Sequence, residues 1–277
     1  MSQLPTAPPR RRVHLAALQE LRLSQIACNT GLLDHLILPK CTEMMLKGLF
    51  TDETVNQHGS PAAQLHPSSI DHLPVTTGIT KAVAMPNSCV LSGPNGNLRF
   101  RWFDGTRTNF DAEFFTSFSP ISILQITELW VGQKTESCPR DYPRDKSTPW
   151  KQAVPGVRGA FEVLTKVECL TIVSCETEPF FTTLGATVNG GVLLPRLQRL
   201  TIYVGCGDLD VPVLIRSAKS RKKHFRPLGE VTVVWEKDPG ANIMQEVESL
   251  REFVGELIYR VGEAPELSWK DNAGDIW

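Results

Sequence analysis

The sequence lacks what a membrane or secreted protein needs. It has no run of about 18 apolar residues to span a bilayer, and Met1 to Arg12 is proline-rich and basic where a leader peptide would be apolar. No Asn-x-Ser/Thr sequon occurs, and the seven cysteines (Cys28, Cys41, Cys89, Cys138, Cys169, Cys175 and Cys206) are odd in number and scattered. These absences point to a reducing compartment, cytoplasmic or nuclear, and to no membrane partner. A charge excess is lacking too. With 29 basic and 30 acidic residues the net charge is −1, so no overall field draws the chain to nucleic acid.

The standard catalytic sets are missing as well. There is no phosphate-binding Gly-x-x-x-x-Gly-Lys-Ser/Thr loop, no Gly-x-Ser-x-Gly elbow and no His-Glu-x-x-His helix. Gly205-Cys206-Gly207 leads into Asp208 and Asp210, whose charges repel a pyrophosphate, so it reads as a turn. Cys169 and Cys175 have no Cys-x-x-Cys partner or nearby histidine to complete a tetrahedral metal site, and the six histidines stand singly. The expectation is therefore no enzyme, no cofactor, no metal site and no catalytic residue.

What the sequence does contain is a repeat. The phrase apolar-x-x-apolar-x-x-apolar-x-apolar occurs as Leu15, Leu18, Leu21, Leu23; as Ile123, Ile126, Leu129, Val131; and as Leu164, Val167, Leu170, Ile172. It returns as Leu194, Leu197, Leu200, Ile202 and as Phe225, Leu228, Val231, Val233. Steps of three suit a turn delivering the chain to the core, and the final step of two is the period of a strand with one buried face. Units of this size cannot bury their apolar sides alone, but stacked neighbours share one core. The fold class expected is α/β: an irregular leucine-rich-repeat-like solenoid, with short parallel strands on one face and helices or loops on the other. Cys175 falls where such repeats place Asn or Cys; Ile26, Lys134, Gly205 and Glu236 hold that place in the other copies.

Between the phrases, Pro212 opens a helix over Val213 to Lys223, and Asn242 is placed to cap a longer helix in which Ile243, Val247, Leu250, Val254, Leu257 and Ile258 share a face. Gly93-Pro94-Asn95-Gly96 is a turn signal before an alternating strand at Leu98, Phe100 and Trp102, from a further repeat or an inserted hairpin. Residues 51–78 and 133–150 read as long polar loops. The basic cluster Arg216, Lys219, Arg221, Lys222, Lys223 and Arg226 reads as a charged outer helix face. Only Phe225 offers it a stacking ring, so nucleic acid is not the expected partner.

If the strand leucines face the core, their alternating neighbours form the opposite sheet face. These are Arg22, Trp130, Thr171, Thr201 and Thr232, flanked by Arg199 and Tyr203. Arg, Trp and Tyr dominate binding hot spots, so these seven residues are the candidate partner-binding set.

The phrases Leu18-Gln19-Glu20-Leu21-Arg22-Leu23, Val167 to Ile172 and Leu194 to Ile202, with Arg226 to Val231, Glu246 to Arg251 and the end from Trp269 to Trp277, resemble the irregular leucine-rich region of fungal F-box-like proteins. The resemblance implies a protein partner received by the repeats, as in the substrate receptor of a ubiquitin ligase. Only Met1 to His14 precede the first phrase, so docking to a ligase adaptor is expected only if an F-box lies upstream. The domain reading is a disordered basic N-terminus over 1–14 and one repeat domain over 15–277. The competing reading is an enzyme with its site on the loops at 51–78 and 133–150, since long loops on a rigid scaffold often carry function.

Overall fold

A computed structural model describes residues 12–24, 35–48, 73–85, 88–102, 125–132, 157–174, 177–205 and 209–263. In chain order the elements are β1 (Val13–His14), β2 (Glu20–Ser24), β3 (Leu36–Ile37), β4 (Glu43–Gly48), a 3-10 turn (Pro74–Thr76), β5 (Lys81–Met85), β6 (Ser88–Gly93), β7 (Gly96–Trp102) and β8 (Glu128–Gly132). A helix α1 across 157–163 follows. Then come β9 (Cys169–Ser174), α2 (Glu178–Gly185), β10 (Thr187–Val188), β11 (Gly191–Val192), β12 (Arg199–Val204), α3 (Val211–Lys223), β13 (Leu228–Trp235), α4 (Ala241–Glu248), a second 3-10 turn (Ser249–Glu252) and β14 (Val254–Val261).

The architecture is mixed α/β, built on a ten-stranded sheet in the order β14-β13-β12-β9-β8-β5-β6-β7-β4-β2. Every neighbouring pair is parallel except the two made by β6. The turn signal at Gly93 to Gly96 therefore belongs to a meander, β5-β6-β7, set into a parallel sheet, with β7 against β4 and β5 against β8. The Cα partners Leu170, Leu200 and Val231 lie in line, so the offsets between the last three sequence phrases become the strand register itself.

In-register strands stack equivalent side chains into rows. One row on the inner face runs Leu21, Met44, Leu98, Leu91, Ala82, Leu129, Leu170, Leu200, Val231, Leu257. The next runs Leu23, Leu46, Phe100, Cys89, Ala84, Val131, Ile172, Ile202, Val233, Tyr259, and nearly all of both rows is buried. In three of the phrases the first step of three is a turn closed by a backbone bond: Leu18 N–H to Leu15 O at 3.2 Å, Val167 N–H to Leu164 O at 3.3 Å and Leu197 N–H to Leu194 O at 3.0 Å. Leu38, Cys41, Met44 and Leu46 form a further such phrase, with Cys41 N–H on Leu38 O at 3.2 Å and all four side chains buried. Burial pushes the thiols of Cys41 and Cys89 above their ordinary range, as expected of inert core cysteines.

Helices cover the C-terminal part of the inner face. Glu178–Gly185 buries Pro179, Phe180, Phe181 and Leu184. In α3 the Asp210 carboxylate accepts the Val213 N–H at 3.0 Å, Pro212 sits in the first turn, and Val211, Val213, Leu214 and Ala218 are buried. The α2 and α3 helices meet where Ser220 Oγ donates to Gly185 O at 2.8 Å.

Four expectations change. The helix expected to run from Asn242 to Ile258 ends at Glu248, passes through the 3-10 turn and becomes β14. Its steps of three and four run on to Leu257, but beyond Leu250 Val254, Ile258 and Val261 are β-branched, and Gly255 lets β14 approach β13, since a Cβ there would lie 2.5 Å from Gly229 O. The loop expected over 51–78 is structured at its end, where Leu73 and, in the 3-10 turn, Val75 and Thr76 are buried; residues 51–72, and all of 133–150, lie outside the described residues, as do Ile26, Lys134 and Cys175. Val13 and His14, expected to precede the domain, pair in parallel with Leu36 and Ile37. Finally, Arg221 is not on an outer face but fully buried, donating from its two terminal nitrogens to Leu193 O at 2.7 Å and Leu194 O at 3.0 Å. Burial, with the like charge of Arg226, lowers its pKa to about 10. Among the described residues no helix is long and apolar enough to cross a membrane.

The inner rows generate a direct test. Leu170 is 1% exposed, so Leu170→Asp buries an unpaired charge and should cost about 4 kcal/mol or more, most of the stability of a typical domain. An unchanged thermal midpoint would sink the inward assignment of that row.

Candidate functional site

The outer face of the sheet is assembled by the same register. One row across it reads Arg22, Met45, Arg99, Val90, Val83, Trp130, Thr171, Thr201, Thr232, Ile258. Trp130, Thr171, Thr201 and Thr232 thus stand side by side on four adjacent strands, and Arg199 and Tyr203 flank Thr201 on β12. Arg22 is apart from them, five strand spacings from Trp130, about 24 Å. Arg22 and Arg199 are exposed, Trp130, Thr201 and Tyr203 half-buried, and Thr171 and Thr232 buried. The two buried threonines shape the surface more than they present groups on it.

A second row, one step of two nearer the strand entrances, carries the charge. It reads Glu20, Glu43, Asn97, Ser92, Lys81, Glu128, Cys169, Arg199, Glu230, Glu256. Around Trp130 this row closes a small network. Lys81 Nζ lies 2.9 Å from Glu128 Oε1 and 4.5 Å from the centroid of the Trp130 ring, while the indole N–H donates to the same carboxylate. Trp130 is therefore held in one orientation from two sides. Arg199 Nε donates to Cys169 Sγ at 3.2 Å, and Thr232 Oγ1 donates to Glu230 Oε1 at 3.1 Å. Farther along, Asn97 Nδ2 donates to Glu43 Oε1 at 2.6 Å, and Arg22 pairs with Glu20. Partial burial works to raise the Glu128 carboxyl, but the hydrogen bonds from Lys81 and Trp130 and the charges of Lys81 and Arg199 outweigh it and hold the group below its ordinary value.

Lys81, Glu128, Cys169 and Glu230 were absent from the sequence-derived set. Three of them were within reach: Glu128, Cys169 and Glu230 each stand two residues before a candidate, the strand period. Lys81 carries no such signal, because the inner face of β5 is Ala82 and Ala84, with no leucine to mark the strand.

Elsewhere, a groove of about 470 Å³ between α3 and α4 is lined by Val211, Pro212, Ile215, Arg216, Glu246 and Ser249, so its titratable residues are one arginine and one glutamate. Among the described residues no group of three or more His, Cys, Asp or Glu side chains is placed to hold a metal ion. Comparison with protein-family models, curated proteins and solved structures finds no match.

The Glu128 network has a predictable pH dependence. Its folded pKa lies below the unfolded value, so its stabilisation is complete above the ordinary Glu value of about 4.3 and fades as the pH falls through the lowered value. Lys81 and Glu128 are both partly exposed, which keeps the contribution within about 1 kcal/mol. The fluorescence difference between the wild type and Trp130→Phe should change over that acid range, and in a Glu128→Gln background it should not. Identical acid profiles in both backgrounds would remove the network.

Proposed function

We propose that this chain is a non-catalytic protein–protein interaction scaffold, an irregular solenoid of the leucine-rich-repeat type, and that a protein partner docks on the outer face of its sheet around Trp130, Arg199 and Tyr203. The narrower role, the substrate-receiving part of an F-box-type ubiquitin ligase, follows from the sequence resemblance and requires an F-box upstream of Met1. The observation that carries the reading is the gathering of six of the seven candidate residues on one face of four adjacent parallel strands. A rigid sheet presenting an oriented tryptophan, an exposed arginine and a half-buried tyrosine supplies the anchors that binding hot spots use. The ionic row beside them supplies a polar rim of both signs, suited to fixing the register of a partner.

Affinity capture with the full chain tests this. Arg199→Ala combined with Tyr203→Ala should weaken capture at least about tenfold, since a single hot-spot side chain is worth about 2 kcal/mol, and should leave the melting temperature in place. Lys219→Gln with Lys223→Gln is the control; both side chains are exposed on α3, whereas Lys222 donates to Glu252 O and lies over the Phe253 ring. If the control alone abolished capture, the basic helix would be the docking site and the outer face would not.

A further inference from the structure

The last strand of the sheet has an open edge. Among the described residues β14 pairs only with β13, and Ile258, Tyr259 and Val261 are 37%, 38% and 60% exposed. Proteins usually blunt an edge this long and apolar, because its unpaired N–H and C=O groups invite another strand. Here the strand is self-complementary. Read antiparallel about Ile258, the stretch Val254-Gly255-Glu256-Leu257-Ile258-Tyr259-Arg260-Val261-Gly262 places Glu256 opposite Arg260 twice, Ile258 opposite itself, Leu257 opposite Tyr259, and each terminal valine opposite a glycine.

The hydrogen-bonding parity agrees with that register. Gly262 N–H donates to Trp235 O at 2.8 Å, so the even-numbered residues of this strand turn their backbone groups toward β13 and the odd-numbered ones turn theirs outward. A two-fold axis through Ile258 then makes 255–261 and 257–259 the hydrogen-bonded pairs. It puts Glu256–Arg260 and Ile258–Ile258 in the non-hydrogen-bonded sites, where facing Cα atoms approach to about 4.5 Å and side chains are closest. Within one chain Glu256 stands beside Glu230 on the outer face, a like-charge pair that opposes sheet formation. Neither Glu256 nor Arg260 has an ion-pair partner among the described residues.

We propose that β14 is a dimerisation edge whose occupant is a second copy of this chain, joined antiparallel about Ile258 by two Glu256–Arg260 pairs. The interface is isologous, and the two sheets become one whose outer faces are continuous. This inference is independent of the partner site around Trp130.

Sedimentation of the full chain over a concentration series tests it by charge reversal. The wild type should be a dimer. Glu256→Arg and Arg260→Glu should each weaken self-association at least about tenfold, because each sets two like pairs at the closest sites, with thermal midpoints retained. An equimolar mixture of the two variants should form a one-to-one dimer again, because the reversed charges then complement each other. A second variant covers loss of folding: Ile258→Cys should give a covalent dimer on mild oxidation, its two thiols facing at the axis, and adding Arg260→Glu should suppress it. A monomeric wild type, single variants that stay dimeric, a mixture that stays monomeric, or an Ile258→Cys protein without the cross-link would each overturn the proposal.

Discussion

At the entrance of five strands a single carbonyl oxygen accepts two successive N–H groups from the next strand. Gln19 O takes Thr42 and Glu43, Thr80 O takes Thr127 and Glu128, Thr127 O takes Glu168 and Cys169, Glu168 O takes Gln198 and Arg199, and Gln198 O takes Gly229 and Glu230, at 2.8 to 3.1 Å. A parallel ladder has evenly spaced bonds and no hairpin to set its register. The forked bond supplies what the hairpin would. A slip of one residue between neighbours would turn every inner leucine outward, so the apolar rows depend on this local contact recurring strand after strand.

The same fork places the chemistry of the outer face. Glu43, Glu128, Cys169, Arg199 and Glu230 are each the second donor of a fork, so they fall in line at the start of their strands. That alignment lets residues far apart in sequence meet across the sheet, as Lys81 and Glu128 do in an ion pair, and it sets the Arg199 guanidinium against the Cys169 sulfur within the field of Glu230 and Glu128. The row consequently carries charges of both signs, with opposite charges meeting across strands at Lys81 and Glu128 and like charges side by side at Glu230 and Glu256. The apolar members of the outer face differ by strand: Val83 and Val90, on the meander, are buried, whereas Ile258 on the edge is exposed.

Much of this was legible because the strand phrases are written mainly in leucine, isoleucine and valine, and side chains at steps of three, three and two have one way to share a core. The reading failed where residue types, not spacing, departed from that vocabulary. Leu38-Cys41-Met44-Leu46 has the right spacing but puts a thiol and a thioether in leucine places, and the inner face of β5 is alanine. It failed in the opposite sense at Val254, Leu257 and Ile258, whose spacing continues a helical face while pairing with β13 makes them a strand. Phe225 shows a third kind of failure. It occupies the same phrase position as Leu194, and both have positive φ, 58° and 46°, yet Leu194 is fully buried and Phe225 is 91% exposed. These two residues thus share a phrase position and a left-handed backbone but not their burial.

Arg221 could not be read from its sequence neighbourhood at all, since five of its basic neighbours are surface residues. Its position follows from what the turn before β12 needs. Leu194 takes a left-handed backbone conformation, φ 46°, and Leu193 and Leu194 are both buried, where an unpaired carbonyl oxygen costs about 1–3 kcal/mol. Leu194 O already accepts the Leu197 N–H of the turn, and the planar guanidinium reaches both carbonyls at once, adding a second bond to Leu194 O and supplying one to Leu193 O. The carbonyl of Arg221 meanwhile accepts the Arg226 N–H at 3.0 Å, and Lys222 O accepts that of Phe225 at 3.1 Å, the bond pair of a Schellman end with Phe225 in the left-handed place. One buried cation therefore joins the turn that opens β12 to the turn that closes α3 and leads into β13. A lysine could offer only a point charge to two divergent carbonyls, so the connection between these two strand entrances rests on the shape of the guanidinium as much as on its charge.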